Sequence, residues 1–221
     1  MGSGEEQRGV NQMTKSKASW KIYLVIALAL GGMAFLGYQV VESRHSNLFQ
    51  KGDMKAPDFS FQERSGRMFS SSELAGKVWV VDFIFGHCAG SCPLLSQQLA
   101  LLQKEWKGSP DFRLVSFTVD PEHDTAEFLK KYAADYHADE NQWFFLTGEK
   151  ATLYKVIREG FKAVALEAPE QGPGFDFIHS TRLMLVDARG RIRGLYDGEQ
   201  DTDIQKLHKD VKFLMSSKSH S

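Results

Sequence analysis

Val78-Trp79-Val80-Val81-Asp82-Phe83-Ile84-Phe85-Gly86-His87-Cys88-Ala89-Gly90-Ser91-Cys92-Pro93 is the stretch whose reading decides the fold. Its first half is β-branched and aromatic, which predicts a buried strand. Its second half turns into a helix. Pro93 suits the first helical position, where a missing N–H costs nothing, so Cys92 reads as the N-cap. The chain contains 2 cysteines, both at this strand-to-helix turn with the spacing C-x-x-x-C, so their sulfurs can face one small volume. The positive end of the helix dipole favours a thiolate at Cys92. Three readings are open here: a structural disulfide, a dithiol redox pair, or a metal site to which the pair gives two ligands. A disulfide closing so short a loop restrains the unfolded chain little and makes a poor staple.

The segments on either side supply the rest of an α/β pattern. Phe59 to Gln62 predicts a short strand, and Phe69 to Leu74 passes into a turn ending at Gly76. Pro93 to Trp106 carries Leu94, Leu95, Leu99, Leu102 and Trp106 at helical spacing. Phe112 to Val119 predicts a second strong strand. A helix from Thr125 to Tyr136 follows, with Asp124 as N-cap and Glu127 placed for a near capping box. Trp143 to Leu146 predicts a strand and Lys150 to Glu159 a helix. Arg182 to Val186 and Arg191 to Tyr196 form a hairpin through Asp187-Ala188-Arg189-Gly190, and Asp201 to Met215 closes as a helix. Parallel β-α-β units followed by β-β-α describe a thioredoxin-like fold, a central mixed sheet flanked by helices. Sites in such sheets lie at the carboxyl ends of strands, where the cysteine pair falls.

Upstream, Ile22 to Val41 has no charged residue, and Gln39 is its one strongly polar side chain. At about 1.5 Å per residue it spans a hydrocarbon core of roughly 30 Å. Arg8, Lys15, Lys17 and Lys21 precede it and orient it with the remainder outside the cytoplasm. A cleaved signal peptide is the competing reading, but Glu42-Ser43-Arg44-His45 offers no small-x-small cleavage site. The expected organisation is a cytoplasmic segment 1–21, one transmembrane helix 22–41, a polar connector 42–55, one domain 56–215 and a tail 216–221. The domain has about 160 positions, enough for one core. A formal net charge of −1 gives no reason to expect nucleic acid.

Ordinary thioredoxins space their cysteines C-x-x-C and place a proline just before the hairpin. Here the residues entering the hairpin are Phe175-Asp176-Phe177-Ile178-His179-Ser180-Thr181. His179 takes the position that folds back towards the cysteine pair, which favours the metal reading.

Three ordered blocks carry a family resemblance. Asp82 to Pro93 resembles the signature of the Sco/SenC family, which assists copper delivery to cytochrome oxidase. Thr118-Val119-Asp120-Pro121-Glu122-His123-Asp124-Thr125 is similar to that family's next block. His179-Ser180, with Leu185-Val186-Asp187-Ala188-Arg189-Gly190-Arg191, is similar to its histidine-bearing loop and hairpin. The resemblance runs from about residue 56 to 215, and the apolar N-terminal stretch fits the family's membrane tether.

The resemblance implies a membrane-anchored copper chaperone rather than an enzyme. Cys88, Cys92 and His179 would bind one copper ion, Cu(I) or Cu(II). The recipient would be the CuA-type site of a cytochrome c oxidase subunit. Other periplasmic copper chaperones or thiol reductants are further expected partners. Two thiolates and an imidazole suit copper, although zinc also accepts two cysteines, one histidine and water. The expected location is the bacterial inner membrane with the domain in the periplasm; the mitochondrial inner membrane facing the intermembrane space is the alternative. A second function remains open: a thiol–disulfide oxidoreductase in which Cys88 and Cys92 reduce a partner's cysteines. A peroxiredoxin-type peroxidase is disfavoured, because no arginine lies near Cys88 in sequence.

Two positions depart from the family pattern. Gly86 stands where the family usually has Thr, and Ile178 stands where it usually has Asp. Asp176 is the candidate substitute for that aspartate. His87 reads as either a further ligand or an exposed loop residue, and Asp120, Glu122 and Asp124 as a cap and solvated loop rather than a hard-metal site.

Overall fold

The computed structural model of the chain describes residues 54–87, 92–162 and 181–218, together with residues 23, 31 and 32. It divides into two units, Met1–Asn47 and Leu48–Ser221. In the first unit Tyr23, Gly31 and Gly32 are helical; the remainder of the predicted anchor lies outside the described residues. Among the described residues no helix is long and apolar enough to cross a membrane.

The second unit is built on a mixed sheet. Its strands are β1 (Ser60–Glu63), β2 (Met68–Ser70), β3 (Val78–Ile84), β4 (Phe112–Thr118), β5 (Trp143–Thr147), β6 (Arg182–Val186) and β7 (Ile192–Asp197). Among the described residues the sheet has 7 strands in the order β2-β1-β5-β4-β3-β6-β7. β3 pairs parallel with β4, and β4 with β5. β6 joins β3 antiparallel and forms a hairpin with β7. The helices are α1 (Cys92–Glu105), α2 (Ala126–Asp135), α3 (Lys150–Lys155) and α4 (Asp201–Lys218). Helices cover both faces, so β3 is buried along its length and reads as an unbroken apolar run with one carboxylate.

Alternation along β3 sorts its side chains into two cores. Val80 and Ile84 pack with Leu95 and Leu99 of α1, Leu129 of α2, and Leu207 and Val211 of α4. Trp79, Val81 and Phe83 face the opposite side with Leu153 of α3 and a largely aromatic cluster. Phe117 is central there: its ring meets Phe59 edge-on at 5.0 Å and Phe161 at 5.6 Å.

Three local expectations are corrected. Phe69 to Leu74 is more than a turn: β2 pairs with β1, and a 3-10 turn follows at Ser71–Leu74. A reciprocal capping box fixes that turn, with the Ser70 side chain accepting from the backbone and Glu73 accepting from Ser70 N–H at 3.0 Å. The helix expected over Lys150 to Glu159 is α3 followed by a π-helical turn, Val156–Gly160. The N-cap of α2 is Thr125, whose hydroxyl accepts from Phe128 N–H at 3.2 Å, and not Asp124. Thr125→Ala should lower unfolding stability by about 1 kcal/mol, read by urea denaturation. An unchanged midpoint and slope would refute the cap assignment.

Candidate metal centre

Of the predicted ligands the structure describes Cys92, in the segment that follows the carboxyl end of β3. Cys92 is the first residue of α1 and is buried, one position inside the helix rather than at its cap. The ring of Pro93 removes an N–H that has no intrahelical partner at that level, so the helix starts there without loss. Cys88, Asp176, Ile178 and His179 lie outside the described residues.

The loop after β4 packs against the residues that follow β3. Asp124 is 0% exposed. Its Oδ2 accepts from the backbone N–H of Gly86 at 2.9 Å and from the Thr118 hydroxyl at 2.6 Å. Thr118 in turn accepts from Asp120 N–H at 2.9 Å. One carboxylate therefore ties the loop after β3 to the end of β4. Burial pushes the Asp124 carboxyl up; the bonds from Thr118 and Gly86 oppose that, the Asp120 charge adds to it and His87 offsets it. Oδ1 of Asp124 has no hydrogen-bond partner among the described residues. His87 Nδ1 stands 3.6 Å from it.

His87 is an exposed loop residue, and its ring stacks on Phe128 with centroids 4.7 Å apart. His123 approaches the same space, with its centroid 6.3 Å from that of His87. His123 Nδ1 lies 2.8 Å from Oδ2 of the buried Asp120. A Cβ added to Gly86 would overlap Cε1 of Phe128 and stand 2.5 Å from Asp124 Oδ1. The glycine is therefore matched to Phe128, which fills the space a side chain would need.

Beneath the site, Asp82 was missed as a functional candidate, although one carboxylate in an otherwise apolar strand was the signal. It lies on the same face of β3 as Val80 and Ile84 and is 0% exposed. The Ser116 hydroxyl donates to its Oδ1 at 2.5 Å and accepts from Trp143 Nε1 at 2.8 Å. Oδ2 has no hydrogen-bond partner among the described residues. Burial raises this carboxyl to about 7, against the Ser116 bond and a backbone bond. A polar cleft of about 600 Å³, lined in part by Lys77, Arg113 and Phe144, opens instead by the amino ends of β3, β4 and β5.

Known proteins resemble this chain over most of its length. The SCO1/SenC family model matches residues 49–216. An SCO1 protein homolog from Bacillus subtilis is 37% identical over 157 residues, covering 70% of this chain and 79% of that protein. BsSco, described as a member of the Sco family of cytochrome c oxidase assembly proteins with a disulfide switch, is 34% identical with a TM-score of 0.61, over 74% of this chain and 94% of that one. ScoI of Bradyrhizobium japonicum, solved with copper bound, shares the fold at 19% identity and a TM-score of 0.56, over 72% of this chain and 99% of that one.

Proposed function

Because this chain belongs to the SCO1/SenC family, we propose that it is a membrane-anchored copper chaperone which carries one copper ion on Cys88, Cys92 and His179. The cargo passes by ligand exchange to the CuA-type site of a cytochrome c oxidase subunit. The observation that carries this reading is Cys92 itself, the buried first residue of α1 at the carboxyl end of the central strand. Soft thiolates hold Cu(I), and an imidazole from the segment before β6 completes a three-ligand set that also accepts Cu(II). Copper bound to ScoI and the oxidase-assembly family of BsSco support the cargo and the recipient. The uncharged stretch 22–41 supports an anchor, with the domain in the bacterial periplasm.

A cysteine ligates as the thiolate and not as a disulfide, so the pair must be reduced before copper is taken up. The disulfide switch described for BsSco favours a second reading, a thiol–disulfide oxidoreductase acting through the same two cysteines.

The test is a Cu(I) titration of the reduced full chain in detergent against a competing chelator, with wild type and His179→Ala compared. Wild type should bind one equivalent, and the variant should bind at least tenfold more weakly, about 1.4 kcal/mol. Equal affinities would overturn the ligand set and favour the oxidoreductase.

A further inference from the structure

We propose that His87 and His123 form a second, weaker copper site beside the cysteine loop, a docking pair for Cu(I). Both side chains are largely exposed, at 56% and 69%, whereas the carboxylates behind them are buried, at 0% for Asp124 and 4% for Asp120. His123 Nδ1 is 2.8 Å from Asp120 Oδ2. His87 Nδ1 is 3.6 Å from Asp124 Oδ1, the oxygen that no hydrogen bond satisfies. Histidines that ligate metals commonly direct the other ring nitrogen at a carboxylate, which fixes the tautomer and strengthens the donor. With His123 Nδ1 within hydrogen-bonding distance of Asp120 and His87 Nδ1 on the side of Asp124, Nε2 is the nitrogen each offers to a ligand.

The number of donors selects the metal. Imidazole holds an ion about 2 Å from its nitrogen, and rings with centroids 6.3 Å apart are near enough to share one ion between them. Low coordination of this kind suits Cu(I) and is poor for zinc, which takes four ligands. Among the described residues no group of three His, Cys, Asp or Glu side chains is placed to hold a metal. A two-nitrogen site binds loosely and gives its ion up readily, as a way station must. His87 directly precedes Cys88, so the path from the pair to the first thiolate is short. The transfer role rests on the proposed copper reading; the binding itself does not.

The Cys88→Ser/Cys92→Ser full chain, titrated with Cu(I) in the absence of oxygen, isolates the pair. Long-range ¹H–¹⁵N spectra should show the Nε2 signals of His87 and His123 shifting together over the first equivalent. Adding His123→Ala should weaken that binding at least tenfold. Asp120→Asn, which keeps the ring but loses its carboxylate, should weaken it about tenfold. Affinity indifferent to His123→Ala, or shifts confined to other histidines, would overturn the proposal. If the serine variant does not fold, the same spectra of wild type past one equivalent decide the matter: a second equivalent that persists in His123→Ala refutes the pair. Failure of the main copper site would appear separately, as a first equivalent insensitive to His179→Ala.

Discussion

At pH 8, Asp82→Asn should be more stable than wild type by up to about 4 kcal/mol, and at pH 5 by less than about 2 kcal/mol. The wild-type carboxyl is buried and raised to about 7, whereas in the unfolded chain it titrates in the ordinary range near 4. Between those values the folded protein binds a proton that the unfolded chain does not. Stability from this group is therefore full below pH 4 and falls by about 1.4 kcal/mol per pH unit as pH rises towards 7, where the loss levels off. Asparagine keeps an acceptor for the Ser116 hydroxyl, which donates at 2.5 Å in the wild type, and carries no charge to desolvate. Urea denaturation at both pH values reads the difference, and other titrating groups cancel between the two proteins. An offset of the same size at pH 5 and pH 8 would show that Asp82 does not titrate in the fold.

The strands were legible because burial on both faces demands β-branched and aromatic residues, as in Val78 to Ile84 and Phe112 to Thr118. The hairpin at Asp187 to Gly190 was legible from its turn residues, and Gly190 takes the positive φ of 73° that such a turn requires. The cysteine pair stands out in the sequence because no other cysteines compete with it, and of the two the structure describes Cys92. What escaped was set by distance along the chain. Asp124 reads locally as a helix cap, but its hydrogen bonds go to Thr118 and to Gly86, on the far side of α1. Thr125 beside it took the cap instead. Asp82 escaped because a carboxylate in a strand has no local signature; its meaning depends on Ser116, its register partner on β4, and on Trp143 behind that hydroxyl.

The same long-range dependence makes Gly86→Thr destabilising here, by about 2 to 3 kcal/mol, although threonine is the family's usual residue at this position. Gly86 does not have a positive φ, so the obstacle is space and not backbone strain. The new Cβ would overlap the Phe128 ring, and that ring is held by its stack against His87 and by packing on the core beneath α2. Phe128→Ala opens the same volume. In Gly86→Thr/Phe128→Ala the new Cβ still meets Asp124 Oδ1 at 2.5 Å, so that carboxylate must shift slightly, after which the threonine hydroxyl can donate to its oxygen that lacks a hydrogen bond. The double variant should therefore be more stable than the sum of its singles by about 1 to 2 kcal/mol. The glycine, the phenylalanine and the histidine contact of Asp124 are then one linked solution. Urea denaturation of all four proteins in the cycle measures the coupling; additivity within about 0.5 kcal/mol would show that Phe128 yields to a side chain at position 86 without cost.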